Sequence, residues 1–110
     1  RLFGGKNAVR EFIYVKDLVK IIVMALIKIN KSCYLNVGSD EKIRIKDLIN
    51  LIANLSNFNK KIIFQNKIKD ISKRYAYKNE FKRLLNYKNE YNLKTGLMET
   101  IKWYKKKLKK

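Results

Sequence analysis

The sequence has no histidine, no proline and one cysteine, with four glycines and five arginines among 110 residues. Without histidine no Ser-His or Cys-His pair can form, and the commonest general base of neutral pH is missing. A single cysteine excludes an internal disulfide and leaves too few soft ligands for a zinc site. Cys33, just ahead of Tyr34-Leu35-Asn36-Val37, is expected to be a small buried hydrophobe. Two of the glycines, Gly4 and Gly5, are adjacent, but their spacing is neither that of a P-loop nor that of a dinucleotide fingerprint, so a flexible turn is expected. No tyrosine is followed by lysine four residues later, and the nine acidic residues are dispersed. No apolar run reaches the ~20 residues of a membrane span. The longest, Leu18 to Ile29, is broken by Lys20 and Lys28. The residues on their own therefore give no complete active site. A first residue other than methionine leads to the expectation that the chain is a piece of something longer.

Cationic charge is abundant. The formal net charge is +18. Such a balance can mark a nucleic-acid or anionic-membrane partner. Here 22 lysines, 14 isoleucines and 12 asparagines stand beside five arginines, and the three abundant types share A/T-rich codons. Proteins that grip phosphates or read bases favour arginine, whose planar fork bonds bidentately. The lysines are also scattered through every segment. Codon bias thus accounts for the charge better than nucleic-acid binding, and the run from Lys105 to Lys110 reads as a solvated tail.

Alternation predicts a strand over Glu11 to Val15. Asp17 stands where an N-cap belongs, and Leu18, Ile21, Ile22, Ala25, Leu26 and Ile29 follow at helical spacing. Val19, Val23, Met24 and Ile27 widen that apolar surface, so the helix is expected to pack on more than one side, in part against material outside this chain. Cys33–Val37 reads as a short buried strand ended by Gly38, and residues 38–41 as a turn. Ile45, Leu48, Ile49, Ile52 and Leu55 define a second helix, with Asp47 complementing its dipole. Lys61–Phe64 is another candidate strand. Residues 65–79 are polar and long for a loop, a type often functional; a strand near Tyr75 is a weak signal. Phe81–Leu85 gives a short helix, and Leu93, Leu97, Ile101, Tyr104 and Leu108 a last one, with Trp103 beside the stripe. The fold class expected is α/β, with short strands interleaved with three to four helices in a single unit over residues 1–110.

Binding is easier to support than catalysis. Arg10 stands at a strand edge beside the glycine-containing loop, and Lys67, Lys69, Lys73 and Arg74 lie in the long polar stretch. Brought face to face they would form a cationic pocket suited to a diphosphate. Phe3, Phe12 and Tyr75 could offer ring faces to a base.

The segment VREFIYVKDL resembles the Arg-Asp/Glu-Phe-x-Tyr/His-Val-x-Asp motif of the extended short-chain dehydrogenases that act on nucleotide sugars. FGGKNAVREF is similar to the approach to that motif. YLNVGSDEKIRIKDLINLIANL is similar to the family's Tyr-Asn-Val/Ile-Gly-Ser-Gly strand, turn and helix. RYAYKNEFKRLLNYKNEYNLKTGLMETIKWY is similar to its Tyr-Ala-Asp ending with Leu-x-x-Gly-Leu-x-x-Thr-x-x-Trp-Tyr. The four follow in order across essentially the whole chain. Arg-Glu-Phe and the stretch before Phe64 lean toward fucose-synthase-like members; Arg-Tyr-Ala and the Trp-Tyr ending lean toward 4-epimerases and decarboxylases.

The resemblance implies the C-terminal, substrate-binding portion of an NAD(P)-dependent epimerase, dehydratase or reductase. NAD or NADP, the cofactor glycines and the catalytic Tyr-Lys pair would belong to an N-terminal Rossmann domain outside this chain. The implied partners are that domain, a nucleotide-sugar substrate and, for the full-length protein, a second copy in a homodimer. The implied location is cytoplasmic. Arg10 matches the arginine that contacts the nucleotide diphosphate. Phe3 sits where a tryptophan lines the substrate site in some members. Lys67 falls near a second diphosphate-binding arginine, and Asp70 matches a loop carboxylate that touches the nucleotide sugar. Departures from the pattern are the loop without Pro or Gly, Tyr77 for Asp, Asn86 for Gly and Asn89 for Pro; asparagine is tolerated in a left-handed cap. The competing readings are a small basic nucleic-acid-binding module and a non-catalytic remnant of the same family.

Overall fold

The computed structural model describes residues 2–3, 5–65, 72–75 and 80–108. In chain order the elements are β1 (Leu2–Phe3), β2 (Val9–Glu11), α1 (Val15–Lys28), β3 (Lys42–Arg44), α2 (Ile45–Ser56), β4 (Phe64–Gln65), β5 (Lys73–Arg74), α3 (Glu80–Leu85) and α4 (Leu93–Leu108). This is the expected α/β arrangement, with four helices among the described residues. β2 is the centre of a three-stranded sheet, antiparallel to β3 and parallel to β5. β1 and β4 pair separately, in parallel.

α2, α3 and α4 form where the apolar spacing places them. The first turn of α2 has no side-chain cap. Its Ile45 and Lys46 N–H groups instead donate to the carbonyls of Ala8 and Lys6, each at 2.9 Å, which ties the helix start to the loop before β2. α4 is capped by Asn92, whose Oδ1 accepts the Thr95 N–H at 2.8 Å. The expected left-handed asparagine is present: Asn86, just past α3, has φ 51°.

α1 carries two apolar faces. Ile21 is buried with Phe81, Leu85 and Tyr87, and Met24, Ala25 and Ile29 pack against that cluster. Val15, Val19, Ile22 and Leu26 form the opposite stripe at i, i+4, i+7 and i+11. This second face is exposed, with Leu26 at 79% and Val15 at 60%. The Cα radius of gyration, 16.5 Å, exceeds the ~13 Å expected of a compact chain of this length.

Three expectations are corrected. The opening strand is shorter and earlier, Val9–Glu11, because α1 begins at Val15 with Tyr14 as a cap that makes no side-chain bond. Cys33–Val37 forms no strand and joins no ladder among the described residues. Leu35 and Val37 pack on the core cluster while Tyr34 is fully exposed at 102%; the alternation of a strand is present without an edge to pair with. Cys33 is accordingly exposed, not buried.

Candidate functional site

Asp17 does not cap α1. It stands inside the helix, wholly buried at 0% exposure. Its Oδ1 accepts the Tyr87 hydroxyl at 2.6 Å and the Glu90 N–H at 2.9 Å, and its Oδ2 accepts the Tyr91 N–H at 3.2 Å. A buried carboxylate with three donors is satisfied rather than strained. It fixes the segment between α3 and α4 to α1. Burial, then the hydrogen bond to Asp17 and its negative charge, raise the Tyr87 hydroxyl above the ordinary phenol range. Beside this pin, Tyr14 and Tyr91 pack with ring centroids 4.6 Å apart. Tyr14 also lies on Gly96, where an added Cβ would come within 3.0 Å of the Tyr14 Cβ.

The turn at residues 38–41 is a second junction. Asp40 adopts φ 68°, and its N–H donates to Glu11 Oε1 at 2.6 Å. Its carboxylate pairs with Lys82 of α3. The Glu41 carboxylate accepts the Leu93 N–H at the start of α4, at 3.1 Å for Oε2, where a negative charge suits the helix dipole. Gly38 packs closely on the Glu11 carboxylate: a Cβ there would lie 2.5 Å from Glu11 Oε1, which would have to move.

Against this turn lies a pocket of about 240 Å³, lined by Arg10, Glu11, Ile13, Val37, Gly38, Arg74 and Tyr75. β2 supplies Arg10 and β5 supplies Arg74, which face each other in the parallel register Arg10↔Arg74. The Arg10 guanidinium donates through Nη1 to the Val9 carbonyl at 2.8 Å. Lys42 of β3 stands over the Tyr75 ring, 3.8 Å from its centroid, a cation–π contact. The sheet therefore gathers arginine, arginine, lysine and an aromatic ring at one place. The weak strand signal near Tyr75 corresponds to β5, which sets Arg74 beside Arg10.

The other sequence-predicted positions fall elsewhere. Phe3 lies on β1, paired with Gln65 of β4. Lys67 and Asp70, with Lys69 and Tyr77, lie outside the described residues. Sequence reasoning did not find Glu11 as the clamp on the turn, nor Asp17 as the pin. Both make bonds across long separations, 29 residues for Glu11 to Asp40 and 70 for Asp17 to Tyr87, for which a single sequence carries no local signal.

Among the described residues, Gly38 is crowded by Glu11 and Gly96 by Tyr14, so neither offers open backbone to a dinucleotide pyrophosphate. Among the described residues no group of three or more His, Cys, Asp or Glu could hold a metal ion. No helix is long and apolar enough to cross a membrane, again among those residues.

No protein-family model matches the chain. It is 28% identical over 103 residues to a rice protein (Oryza sativa subsp. japonica) named "Probable GDP-L-fucose synthase 1", covering 94% of this chain and 31% of that protein. Among solved structures, dTDP-glucose 4,6-dehydratase from Bacillus anthracis, in complex with NAD, is 25% identical with a TM-score of 0.81, over 96% of this chain and 34% of that one. UDP-glucose 4-epimerase from Thermotoga maritima, with UDP-glucose, aligns at TM-score 0.83 and 24% identity, over 97% of this chain and 35% of that one; at that identity it speaks to the fold alone. The chain spans about a third of the length of the curated relatives it matches. These comparisons support a likeness to extended short-chain dehydrogenases of the nucleotide-sugar epimerase kind, with the fold of the C-terminal part of such enzymes.

Proposed function

We propose that this chain is the substrate-holding portion of an NAD(P)-dependent nucleotide-sugar epimerase, dehydratase or reductase, and that Arg10 binds the nucleotide diphosphate. The observation that carries the reading is the pocket beside the 38–41 turn, where Arg10 meets Arg74 in register. An arginine fork matches the geometry of a phosphate in a way an ammonium does not. In such an enzyme the sugar exchanges hydride with a nicotinamide held by the rest of the protein. This chain's share is to hold the diphosphate so that the sugar reaches that cofactor. Phe3, Lys67 and Asp70 are assigned supporting contacts to the same substrate.

The remainder of the parent protein is the proposed partner of the exposed face of α1. Three observations support it. The Val15, Val19, Ile22 and Leu26 stripe is apolar and exposed, the alternating segment 33–37 joins no ladder among the described residues, and the relatives are about three times as long. A Rossmann domain that covered α1 and paired with residues 33–37 would meet both needs.

The test is expression of the intact gene, with turnover of GDP- and UDP-sugars screened in the presence of NAD or NADP. Arg10→Ala is expected to weaken nucleotide-sugar binding by at least ~10-fold, the size of a lost charge-assisted bond, with cofactor binding within twofold. Substrate affinity unchanged within twofold in Arg10→Ala would remove Arg10 from the site.

A further inference from the structure

The head of α1 and the face of α4 that meets it form a wedge. Gly96, Thr100 and Trp103 stand at i, i+4 and i+7 on one face of α4. At the narrow end Tyr14 lies on Gly96, where an added Cβ would come within 3.0 Å of the Tyr14 Cβ. The same tyrosine packs on the Tyr91 ring, which fixes the narrow end from its other side. Toward Trp103 the two helices leave a groove of about 510 Å³. Its apolar wall is Val15 and Trp103, each 60% exposed. Its rim carries Lys16 of α1 with Lys102 and Lys106 of α4, against one acid, Glu99. Among the described residues none of these three lysines has an ion-pair partner. The Thr100 hydroxyl is already used, donating to the Gly96 carbonyl at 2.8 Å. Val15 is also the first residue of the exposed apolar stripe of α1, so groove and stripe are one continuous surface.

We infer that this groove is the docking site for an acidic segment from the rest of the parent protein, which seats an apolar side chain between Val15 and Trp103 and sets carboxylates against Lys16, Lys102 and Lys106. Continuity and charge both point to that occupant. A domain laid along the α1 stripe passes over Val15 and so reaches the open side of the groove. The relatives are about three times as long as this chain, which leaves ample chain to supply the segment. Tryptophans that anchor an interface do so in covered, dry pockets, and Trp103 stands at the mouth of one. Lysines covered with it need carboxylates to offset their lost hydration, and the single Glu99 cannot serve three. This rests on the reading of the chain as one portion of a longer enzyme. It adds a second helix to the contact and the chemistry of what that helix meets.

The experiment is carbodiimide cross-linking of the full-length gene product, with heavy-isotope-labelled and unlabelled protein mixed before reaction, together with hydroxyl-radical footprinting of Trp103. The expected products are zero-length amide bonds from Lys16, Lys102 or Lys106 to an Asp or Glu outside residues 1–110, within one chain. Trp103 is expected to oxidise at least ~5-fold more slowly than in urea, as a covered interface side chain does, whereas its 60% exposure in this chain alone allows a slowing of under about twofold. Lys102→Glu combined with Lys106→Glu is expected to raise Trp103 oxidation in the folded protein by ~3-fold or more, because like charges then face each other across the contact. Lys94→Glu, on the same helix outside the groove, is expected to leave it unchanged. Cross-links that join a labelled to an unlabelled chain overturn the inference in favour of a second copy. A protected Trp103 without any of these cross-links overturns the acidic chemistry of the occupant. A Trp103 that oxidises within about twofold of its rate in urea overturns the docking site. These last results leave the substrate-holding reading to its own test in Arg10→Ala, whereas a gene product with no further domain overturns both.

Discussion

Replacing Asp17 with asparagine tests the claim that one buried carboxylate holds the segment between α3 and α4 in place. The carboxylate has two oxygens serving three donors: Tyr87 Oη and the Glu90 N–H on Oδ1, the Tyr91 N–H on Oδ2. Asparagine keeps the shape but converts one oxygen to an N–H donor. With its oxygen kept on the Oδ1 side, the amide nitrogen faces the Tyr91 N–H, so one bond is lost and two donors oppose each other. The two bonds that remain drop from the charged class, ~1.5–3 kcal/mol, to the neutral class, ~0.5–1.5 kcal/mol. Relief of the cost of burying a charge offsets part of this. The net loss is about 2–3 kcal/mol, a large share of the ~5–15 kcal/mol that holds a typical domain together. Trypsin reads it locally, because Lys88 lies exposed inside the pinned segment. When opening is fast relative to cleavage, the rate follows the open population. Cleavage after Lys88 in the full-length protein is then expected to rise roughly 30- to 140-fold in Asp17→Asn. Tyr87→Phe removes one donor and is expected to cost about 1 kcal/mol, with a double variant that falls short of additivity because both share the same bond. A rise of less than threefold in Asp17→Asn would refute the pin.

Tyr87 also gives a pH signature. Its folded pKa is raised above the ordinary phenol value of 10.0, so the folded state keeps the proton that the unfolded state releases above about pH 10. The stabilisation is complete below that pH and declines as pH rises toward the folded value. Urea midpoints measured from pH 9 to 11 should therefore fall more steeply in wild type than in Tyr87→Phe. Gly38→Ala brings a Cβ to 2.5 Å from Glu11 Oε1 and must displace the bond to Asp40; about 1–2 kcal/mol is expected in urea unfolding, and less in a Glu11→Ala background, where the space is free. Leu26→Lys, on the exposed stripe of α1, is expected to cost about 2 kcal/mol in the full-length protein if the stripe is covered there, and less than ~0.5 kcal/mol if it remains in water.

How far the sequence could be read depends on where each element finds its partner. α2, α3 and α4 are legible because their apolar faces meet other parts of this same chain, so a period near 3.6 records a real burial. α1 is legible as a helix, but its width of apolar residues is explained only by a second surface that the described residues do not cover. The misreading of Asp17 has the same root. A carboxylate at the head of an apolar run is most often a cap, and nothing local distinguishes it from one aimed at Tyr87, seventy residues on. Cys33–Val37 alternates like a strand and packs its alternate residues like one, yet a ladder needs a second edge. β5 has the opposite character: Lys73 and Arg74 show no apolar alternation at all, and pairing with β2 alone makes them a strand. The pairing is also what makes the pocket, so the site lies where sequence periodicity is weakest.

The imbalance of charge gains a structural meaning from the acids rather than from the lysines. Glu11 holds the 38–41 turn, Asp17 pins the segment before α4, Glu41 accepts the first N–H of α4, Asp40 pairs with Lys82, Asp47 with Arg44 and Glu90 with Lys20. The acids are thus spent largely on joining elements, with few left to balance a surface. Position, not charge, separates Arg10 and Arg74 from the solvated cations. A solvated lysine on α4 can be moved by one turn without consequence, whereas Arg10 and Arg74 are fixed by a strand register. A slip of one residue in β5 would send the Arg74 side chain to the other face of the sheet. The pairing of β2 with β5 thus sets Arg10 beside Arg74, against a turn that Glu11 and Gly38 hold in place.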